Sequence, residues 1–184
     1  MEQEALLLAQ RGDRDALSDL VTAYQKPLFY LCYRMLGERR EAEDAAQEAL
    51  VKAVVKLHTY DTERPFKPWV MRIASNECID RLRRRKPEVS LDDMGEDGAW
   101  EWKAGNSPNP EAELLHDERE TQVRALLETL SATDRAVVVL FYWEGLSYVE
   151  IEEVTGLTVS AIKSRLFRAR RSMAQTLLEE GMYV

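Results

Sequence analysis

The sequence is poor in the side chains that most metal sites and covalent catalysts use. Its 184 residues include two cysteines and two histidines, and Cys32, Cys78, His58 and His116 stand without a paired spacing. Protein zinc sites usually show paired Cys or His ligands at short spacings. We therefore expect no metal and no cofactor, and we interpret both cysteines as small residues of the hydrophobic core.

Long apolar runs are also absent, and basic residues, 25 in number, are outnumbered by 33 acidic ones. No apolar stretch approaches the roughly 20 residues that a membrane helix needs. The first four residues lack the basic start and apolar segment of a signal peptide, so we expect a cytoplasmic protein. The net charge is −8, while 45% hydrophobic and 32% charged residues indicate a globular chain. A length of 184 residues allows one or two small domains.

The negative charge is concentrated in one segment. Residues 87–120 hold eleven acids against Lys103 and Arg119, and several prolines and glycines interrupt any periodic pattern before residue 110. Periodic helical patterns flank this segment and strand signals are absent. The sequence therefore predicts an all-α protein of two small helical domains, at residues 1–86 and 113–184, joined by an acidic linker at residues 87–112.

The C-terminal third has the pattern of a helix-turn-helix. Ser147 precedes Glu150 by three residues, which is the spacing of a capping box. Gly156 suits the left-handed position that ends a helix, and Thr158 can cap the next one. These signals predict two helices separated by a short turn, and the second of them is the candidate recognition helix.

The second of these helices has two distinct faces. Ile162, Leu166, Ala169 and Met173 recur at helical spacing and predict a buried stripe. The opposite stripe carries cations and small polar groups that can reach base edges and phosphates in a major groove. A solvated charged face is the alternative. The candidate DNA-binding residues are Ser160, Lys163, Ser164, Phe167, Arg168 and Arg171.

Before residue 87 the periodicity predicts four helices, at about residues 4–11, 15–36, 40–57 and 66–85. The third has a small inward stripe rich in alanine and an opposite side where valines stand among acids. Apolar residues on an outer face suggest a protein-binding surface, although singly exposed valines are ordinary. The outer residues are Asp44, Gln47, Glu48, Val51 and Val55.

The fourth helix has a polar stripe and ends in a basic run. Five of the six residues from 81 to 86 are basic, which is enough to neutralise phosphates and more than a helix C-terminus requires. Aromatic residues near this helix can stack on unpaired bases, although core packing is the expected role for most of the Trp69 ring. The residues of this candidate surface are Arg72, Asn76, Asp80, Arg83, Tyr60 and Phe66.

The polar loop at residues 58–66 precedes the fourth helix. Its position next to the polar stripe suggests that it could hold an extruded base. An ordinary interhelical loop is the alternative.

Three segments in this order resemble the extracytoplasmic-function (ECF) sigma factors, the compact bacterial transcription-initiation subunits. They are residues 43–48 (EDAAQE), residues 66–76 (FKPWVMRIASN) with 80–84 (DRLRR), and residues 162–170 (IKSRLFRAR). The resemblance covers nearly the whole chain. It implies two helical domains, regions 2 and 4, and a function in promoter recognition without an enzymatic reaction.

The resemblance also implies a role for each surface. The outer face of the third helix would dock on the β′ clamp helices of core RNA polymerase, and the holoenzyme would also contact the β subunit. The fourth helix, now with Arg84, would recognise and help melt the −10 element, and the loop at 58–66 would trap a flipped base. The recognition helix would read the −35 element. The linker would thread the polymerase, and a membrane-linked anti-sigma factor is an expected further partner.

Two other classes of protein share parts of these patterns. A stand-alone helix-turn-helix regulator, such as a LuxR-type factor, could share the C-terminal pattern, but the third-helix surface and the basic run disfavour it. Carboxylate metal chemistry at Asp44 and Glu48 would need Glu-x-x-His motifs on two helices, and only one histidine, His116 after Glu113, has that spacing. A chain of net charge −8 is repelled by bare DNA, so tight promoter binding should need the polymerase.

Overall fold

A computed structural model describes residues 2–85 and 111–179, and both ranges are helical, without a β-strand. A single 3-10 turn (Leu57–Thr59) follows the third helix. The all-α fold expected from the sequence is confirmed. In chain order the helices are α1 (Glu2–Gln10), α2 (Arg14–Leu36), α3 (Arg39–Lys56), α4 (Phe66–Arg85), α5 (Glu111–Glu128), α6 (Ala132–Tyr142), α7 (Tyr148–Thr155) and α8 (Val159–Glu179).

Most of the predicted acidic linker, residues 87–110, lies outside the described residues, as do Trp100 and Trp102. The helix that follows begins at Glu111, two residues inside the predicted linker. Within the described ranges no helix combines the length and the apolar composition needed to cross a membrane.

Side-chain caps set the first helix boundaries. The Asp13 carboxylate accepts hydrogen bonds from the backbone nitrogens of Asp15 and Ala16, both at 3.0 Å, and so starts α2. Gly37 ends α2 in the left-handed region at φ 77°, which glycine adopts without steric cost. Pro27 lies inside α2, which continues through it.

The first half of the chain packs around an alanine-rich helix. The buried residues of α3 are Ala42, Ala45, Ala46, Ala49 and Ala53. Because alanine carries a single methyl group, α2 and α4 approach α3 closely. A larger side chain there would overpack the contact at a cost of typically ~1–3 kcal/mol. From α4, the fully buried partners are Met71, Ala74 and Cys78, and Cys32 comes from α2. Both cysteines are therefore core residues, as expected.

The second half is built around α6, which is apolar on nearly every side. Residues 137–140 (VVVL) are each at most 1% exposed. Ile151 and Val154 of α7 and Ile162 and Leu166 of α8 belong to the same hydrophobic cluster, which continues into the first half. The helix α6 therefore joins the two halves of the core.

Polar contacts also hold the two halves together. The Arg135 guanidinium of α6 is buried and donates to the Met35 carbonyl in the last turn of α2 at 2.6 Å. Carbonyls in a last turn lack helical partners, so this bond satisfies one of them. Lys67 of α4 donates to the Glu144 carbonyl at 2.6 Å. The sequence left the arrangement of the halves open, and the structure places them in direct contact.

Candidate nucleic-acid interface

The helix-turn-helix forms through the caps that the sequence predicted. The Ser147 hydroxyl accepts a hydrogen bond from the Glu150 backbone nitrogen, while the Glu150 carboxylate accepts one from the Ser147 nitrogen at 2.8 Å. Gly156 ends α7 at φ 74°. The Thr158 hydroxyl accepts from the Ala161 nitrogen at 3.2 Å and so caps the recognition helix α8. The sequence therefore sets both ends of the turn.

A further cap was not found from the sequence. The Glu152 carboxylate of α7 accepts a hydrogen bond from the Val159 backbone nitrogen at 3.2 Å. A carboxylate at a helix N-terminus also interacts favourably with the helix dipole. This contact joins the two helices across the turn and helps to fix the angle at which α8 is presented.

The two faces of α8 separate as predicted. Ile162, Leu166 and Ala169 are at most 3% exposed, and Met173, the fourth residue of the predicted buried stripe, is half-buried against the same core. On the opposite side Ser160, Lys163, Arg168 and Arg171 are exposed, and Ser164 and Phe167 are half-buried. The Lys163 ammonium lies 5.4 Å from the centre of the Tyr148 ring. The candidate DNA-binding residues therefore share one accessible stripe.

The polar stripe of α4 is also accessible. Its five candidate residues, Arg72, Asn76, Asp80, Arg83 and Arg84, are all accessible to solvent. Three cations on one stripe can neutralise phosphates, while the amide and carboxylate can exchange hydrogen bonds with bases. This stripe is the second candidate nucleic-acid surface.

Burial contradicts the idea that Tyr60 and Phe66 offer free rings to bases. Each is only 6% exposed, and their ring centres lie 5.2 Å apart in a cluster with Tyr24 and Trp69. The Tyr60 hydroxyl donates to the Arg64 carbonyl, and burial raises the pKa of Tyr60 to about 12. The polar composition of residues 58–66 does not indicate that two aromatic side chains of this segment belong to the core. Neither ring is placed to stack on a base.

The loop at residues 58–66 is tied to α1 as well. The Gln10 amide nitrogen donates to the Leu57 carbonyl at 2.8 Å and to the Tyr60 carbonyl at 2.7 Å. Sequence reasoning missed Gln10, because a contact over 50 residues leaves no local pattern. The exposed residues that remain in this loop are His58, Thr59, Asp61, Glu63, Arg64 and Pro65.

The outer face of α3 is exposed at every predicted position: Asp44, Gln47, Glu48, Val51 and Val55. Val51 and Val55 are 58% and 65% exposed. A groove of about 860 Å³ beside them, between α2 and α3, is lined by further apolar side chains that the sequence did not single out, including Phe29, Tyr30 and Val54. Exposed valines that continue into an apolar groove form a surface suited to another protein.

The basic run at the end of α4 divides into two groups. Arg83 and Arg84 lie on the accessible stripe, where Arg83 also donates to the Thr133 hydroxyl of α6 at 3.5 Å. Arg81 donates to Glu77 at 2.8 Å and to Glu48 at 2.7 Å, and Arg85 forms an ion pair with Glu41 of α3. No local pattern indicates this division, because the acidic partners of Arg81 and Arg85 include residues of another helix.

These features define a class. An accessible basic recognition helix in a helix-turn-helix, together with a second accessible basic stripe on another helix, is the arrangement of a DNA-binding protein with two reading surfaces.

Similarity to known proteins narrows this class. The family model for sigma-70 region 2 matches residues 20–88, and the one for sigma-70 region 4 matches residues 120–173. The ECF RNA polymerase sigma factor SigW of Bacillus subtilis is 35% identical over 96% of this chain and 97% of its own. The RNA polymerase sigma-H factor of Pseudomonas aeruginosa is 34% identical over 96% and 93%. The structure of CnrH in complex with the cytosolic domain of CnrY superposes with a TM-score of 0.70, at 26% identity, over 96% of both chains.

The chain belongs to the sigma-70 family of RNA polymerase sigma factors, in its ECF group. It is a transcription-initiation factor that directs RNA polymerase to promoters, and proteins of this family are not enzymes. The expected family and function are confirmed. The roles of individual residues stay predictions.

Proposed function

We propose that this chain docks on core RNA polymerase through the outer face of α3 and reads a promoter with α4 and α8. The observation that carries the proposal is the simultaneous exposure of three predicted surfaces on one helical framework. Their positions in the chain agree with the order of the two matched sigma-70 regions. The charge and polarity of each surface suit the partner that we assign to it.

The stripe of α8 is assigned to the −35 element. Lys163, Arg168 and Arg171 supply three cations for guanine edges and phosphates. Phe167 offers an apolar contact to a thymine methyl group. Because α6 and α7 hold the buried side of α8, this stripe is presented on a rigid support.

The stripe of α4 is assigned to the −10 element. Arg72, Arg83 and Arg84 neutralise phosphates along the strand, and Asn76 and Asp80 supply directional hydrogen bonds to bases. The loop at residues 58–66 lies beside the N-terminal end of this stripe. Its exposed polar groups, and not the rings of Tyr60 and Phe66, are the ones available to an extruded base.

The outer face of α3 is assigned to the β′ clamp helices of the polymerase. Val51 and Val55 provide the apolar centre, while Asp44, Gln47 and Glu48 provide the polar rim that protein interfaces usually have. The groove between α2 and α3 extends this surface. A further docking contact with the β subunit accompanies it.

The two domains, at residues 1–86 and 113–184, separate when the chain engages a promoter. The −10 and −35 elements lie about 25 base pairs apart, roughly 85 Å along B-form DNA at about 3.4 Å per base pair. In the free chain α4 packs directly against α7. The span from residue 85 to residue 111 can extend to at most roughly 90 Å. The linker is therefore long enough for both domains to reach their elements.

An anti-sigma factor is the further partner that we infer. The solved structure of the similar protein CnrH contains the cytosolic domain of CnrY. The groove between α2 and α3 is a suitable site for such a protein, which would then exclude polymerase. A partner of this kind acts where the polymerase acts, so we place the chain in the cytoplasm.

The experiment is run-off transcription from a genomic promoter library with bacterial core polymerase, with and without this chain. The expected result is chain-dependent initiation at promoters that share a two-part motif. Site-specific DNA binding by the chain alone, without any initiation, would instead favour the stand-alone regulator. Direct binding of the chain to core polymerase, measured in parallel, separates an unsuitable promoter library from a failure of docking.

A further inference from the structure

An acid is buried in the middle of the promoter-reading helix. Glu77 of α4 is 6% exposed, although its neighbours Asn76 and Asp80 face solvent. A buried carboxylate is costly unless its oxygens are paired. Lys52 of α3 donates to one oxygen of Glu77, and Arg81 donates to the other at 2.8 Å. Glu77 is therefore fully engaged within the protein and does not face DNA.

These contacts belong to a ladder of ion pairs between α3 and α4. Lys52 pairs with Glu77, and one turn further along both helices Glu48 pairs with Arg81, with oxygen and nitrogen 2.7 Å apart. The two helices run antiparallel, because the residue number falls on α3 from Lys52 to Glu48 as it rises on α4 from Glu77 to Arg81. Arg81 serves both rungs because its guanidinium donates to Glu77 and Glu48 at once.

The polarity of the ladder changes from one rung to the next. On α3 the order is acid then base, Glu48 then Lys52, and on α4 it is acid then base again, Glu77 then Arg81. A slip of one helical turn, about 5.4 Å, would place Lys52 opposite Arg81 or Glu48 opposite Glu77. Each alternative creates a like-charged pair, whereas all three ion pairs of the observed register, including that of Glu41 with Arg85, are attractive. The ion pairs therefore favour the observed register.

The apolar contact between these helices supplies little register information of its own. All buried side chains of α3 are alanines, which form a smooth surface without large interlocking groups. Glu77 is the buried member of the ladder, while Lys52 and Glu48 are about half exposed. Ion pairs add little net stability at exposed or at buried sites, and fixing one arrangement is the better-supported role of a pair with a buried member. The ladder of ion pairs thus supplies the register information that the alanine stripe lacks.

We propose that Glu77 and Arg81 are positioning residues, which lock the register of the promoter-reading helix α4 on the polymerase-docking helix α3. This inference rests on the function proposed above. Arg81, although part of the basic run, acts through Glu48 and Glu77 and not through phosphate. Displacement of α4 along α3 would move Asn76 and Asp80 relative to the docked polymerase, while Glu48 is the one residue of the docking face that would lose a partner.

The test uses the full chain with core polymerase and a promoter on which the unaltered chain initiates. The variants are Glu77→Gln, which keeps shape and removes charge, and Arg81→Lys, which keeps charge but loses the two-way fork of arginine. For both we expect core affinity within about twofold and open-complex formation reduced about tenfold, read by permanganate reactivity of the melted strand. Cys78→Ala is the matched control, because it loosens the same helix without touching the ladder.

A charge swap completes the test. Glu77→Lys alone places a cation against Lys52 and Arg81 and should reduce open-complex formation most. Combining it with Lys52→Glu restores an attractive rung and should recover at least a third of the lost activity. The swap leaves the introduced ammonium beside Arg81, so full recovery is not expected.

Three outcomes would overturn the proposal. Full activity of Arg81→Lys would assign Arg81 to phosphate contact. If Glu77→Gln and Cys78→Ala lose initiation in the same proportion to their loss of melting temperature, the ladder contributes only to the stability of the fold. An equal loss of core affinity and initiation would make it part of the docking face. Failure of the unaltered chain to initiate on any promoter would be a failure of the proposed function itself, and it would be visible before any variant is measured.

Discussion

The Asp134 carboxylate of α6 accepts a hydrogen bond from the Arg165 guanidinium of α8 at 2.8 Å. Both side chains are about three-quarters buried, at 23% and 25% exposure. This pair secures the recognition helix on the helix that joins the two halves. Arg165 is thus committed to the fold, whereas Arg168 and Arg171 lie on the exposed stripe.

Arg168→Ala should reduce promoter-specific initiation about tenfold and leave the affinity for core polymerase unchanged. The reason is the loss of one base or phosphate contact, which is worth roughly 1–3 kcal/mol. The measurement is run-off transcription alongside core-binding titration. Arg11→Ala removes the same charge from an exposed site in the turn after α1 and serves as the control. Equal losses of initiation and core binding would contradict the role assigned to Arg168.

Asp44→Arg should weaken binding to core polymerase at least tenfold. The substitution reverses a charge beside the exposed valines of α3, and like charges across an interface cost several kcal/mol. The measurement is the dissociation constant for core polymerase at two salt concentrations. Asp19→Arg, which makes the same change at an exposed position of α2 away from the groove, is the matched control. Unchanged affinity for Asp44→Arg would reject the α3 surface.

Gly156→Ala should lower the free energy of unfolding by about 1–2 kcal/mol, because the backbone there has φ 74°, where an added Cβ is strained. No neighbouring atom lies within 4 Å of that Cβ position, so the expected cost is conformational and not a clash. Urea unfolding measures the change. Gly156→Asn should lose less, because asparagine tolerates this region better. Equal losses for both substitutions would argue against a backbone origin.

The stability contributed by Glu77 should depend on pH in the acidic range. Burial by itself would raise the pKa of Glu77, but hydrogen bonds from Lys52 and Arg81 outweigh burial and lower the pKa to about 2, from a usual 4.5. Because the folded pKa is depressed, the contribution is complete above about pH 4.5 and decreases as pH falls toward 2. Urea unfolding of the unaltered chain and of Glu77→Gln from about pH 7 to about pH 3 checks this. A difference between the two proteins that stays constant over that range would contradict it.

Local signals predicted most of the fold. The caps at Ser147 and Thr158 and the glycine at 156 lie where short-range patterns place them, because each depends on residues within four positions. The two faces of α8 were equally accessible to prediction, since helical periodicity separates them. The exposed stripes of α3 and α4 follow from the same rule.

What the sequence did not predict depends on contacts between distant residues. Phe66, the first residue of α4, is buried through packing against Tyr24 of α2. Tyr60 of the polar loop is buried against Phe66 and Trp69. Arg81 belongs to the basic run in the sequence, and its pairing with Glu48 appears only when α3 and α4 are placed together. The contact of Arg135 with Met35 spans 100 residues. Periodicity carries no information about such pairs.

The most direct test of the account is initiation from a chain-dependent promoter before and after the insertion of five base pairs between its two elements. Five base pairs turn one element to the opposite side of the duplex, about half of the roughly 10.5 base pairs in a helical turn. If one chain held on polymerase reads both elements, initiation should fall below about a tenth, and an insertion of ten base pairs should not restore it fully. Undiminished initiation after the five-base-pair insertion would contradict two-part reading by this chain.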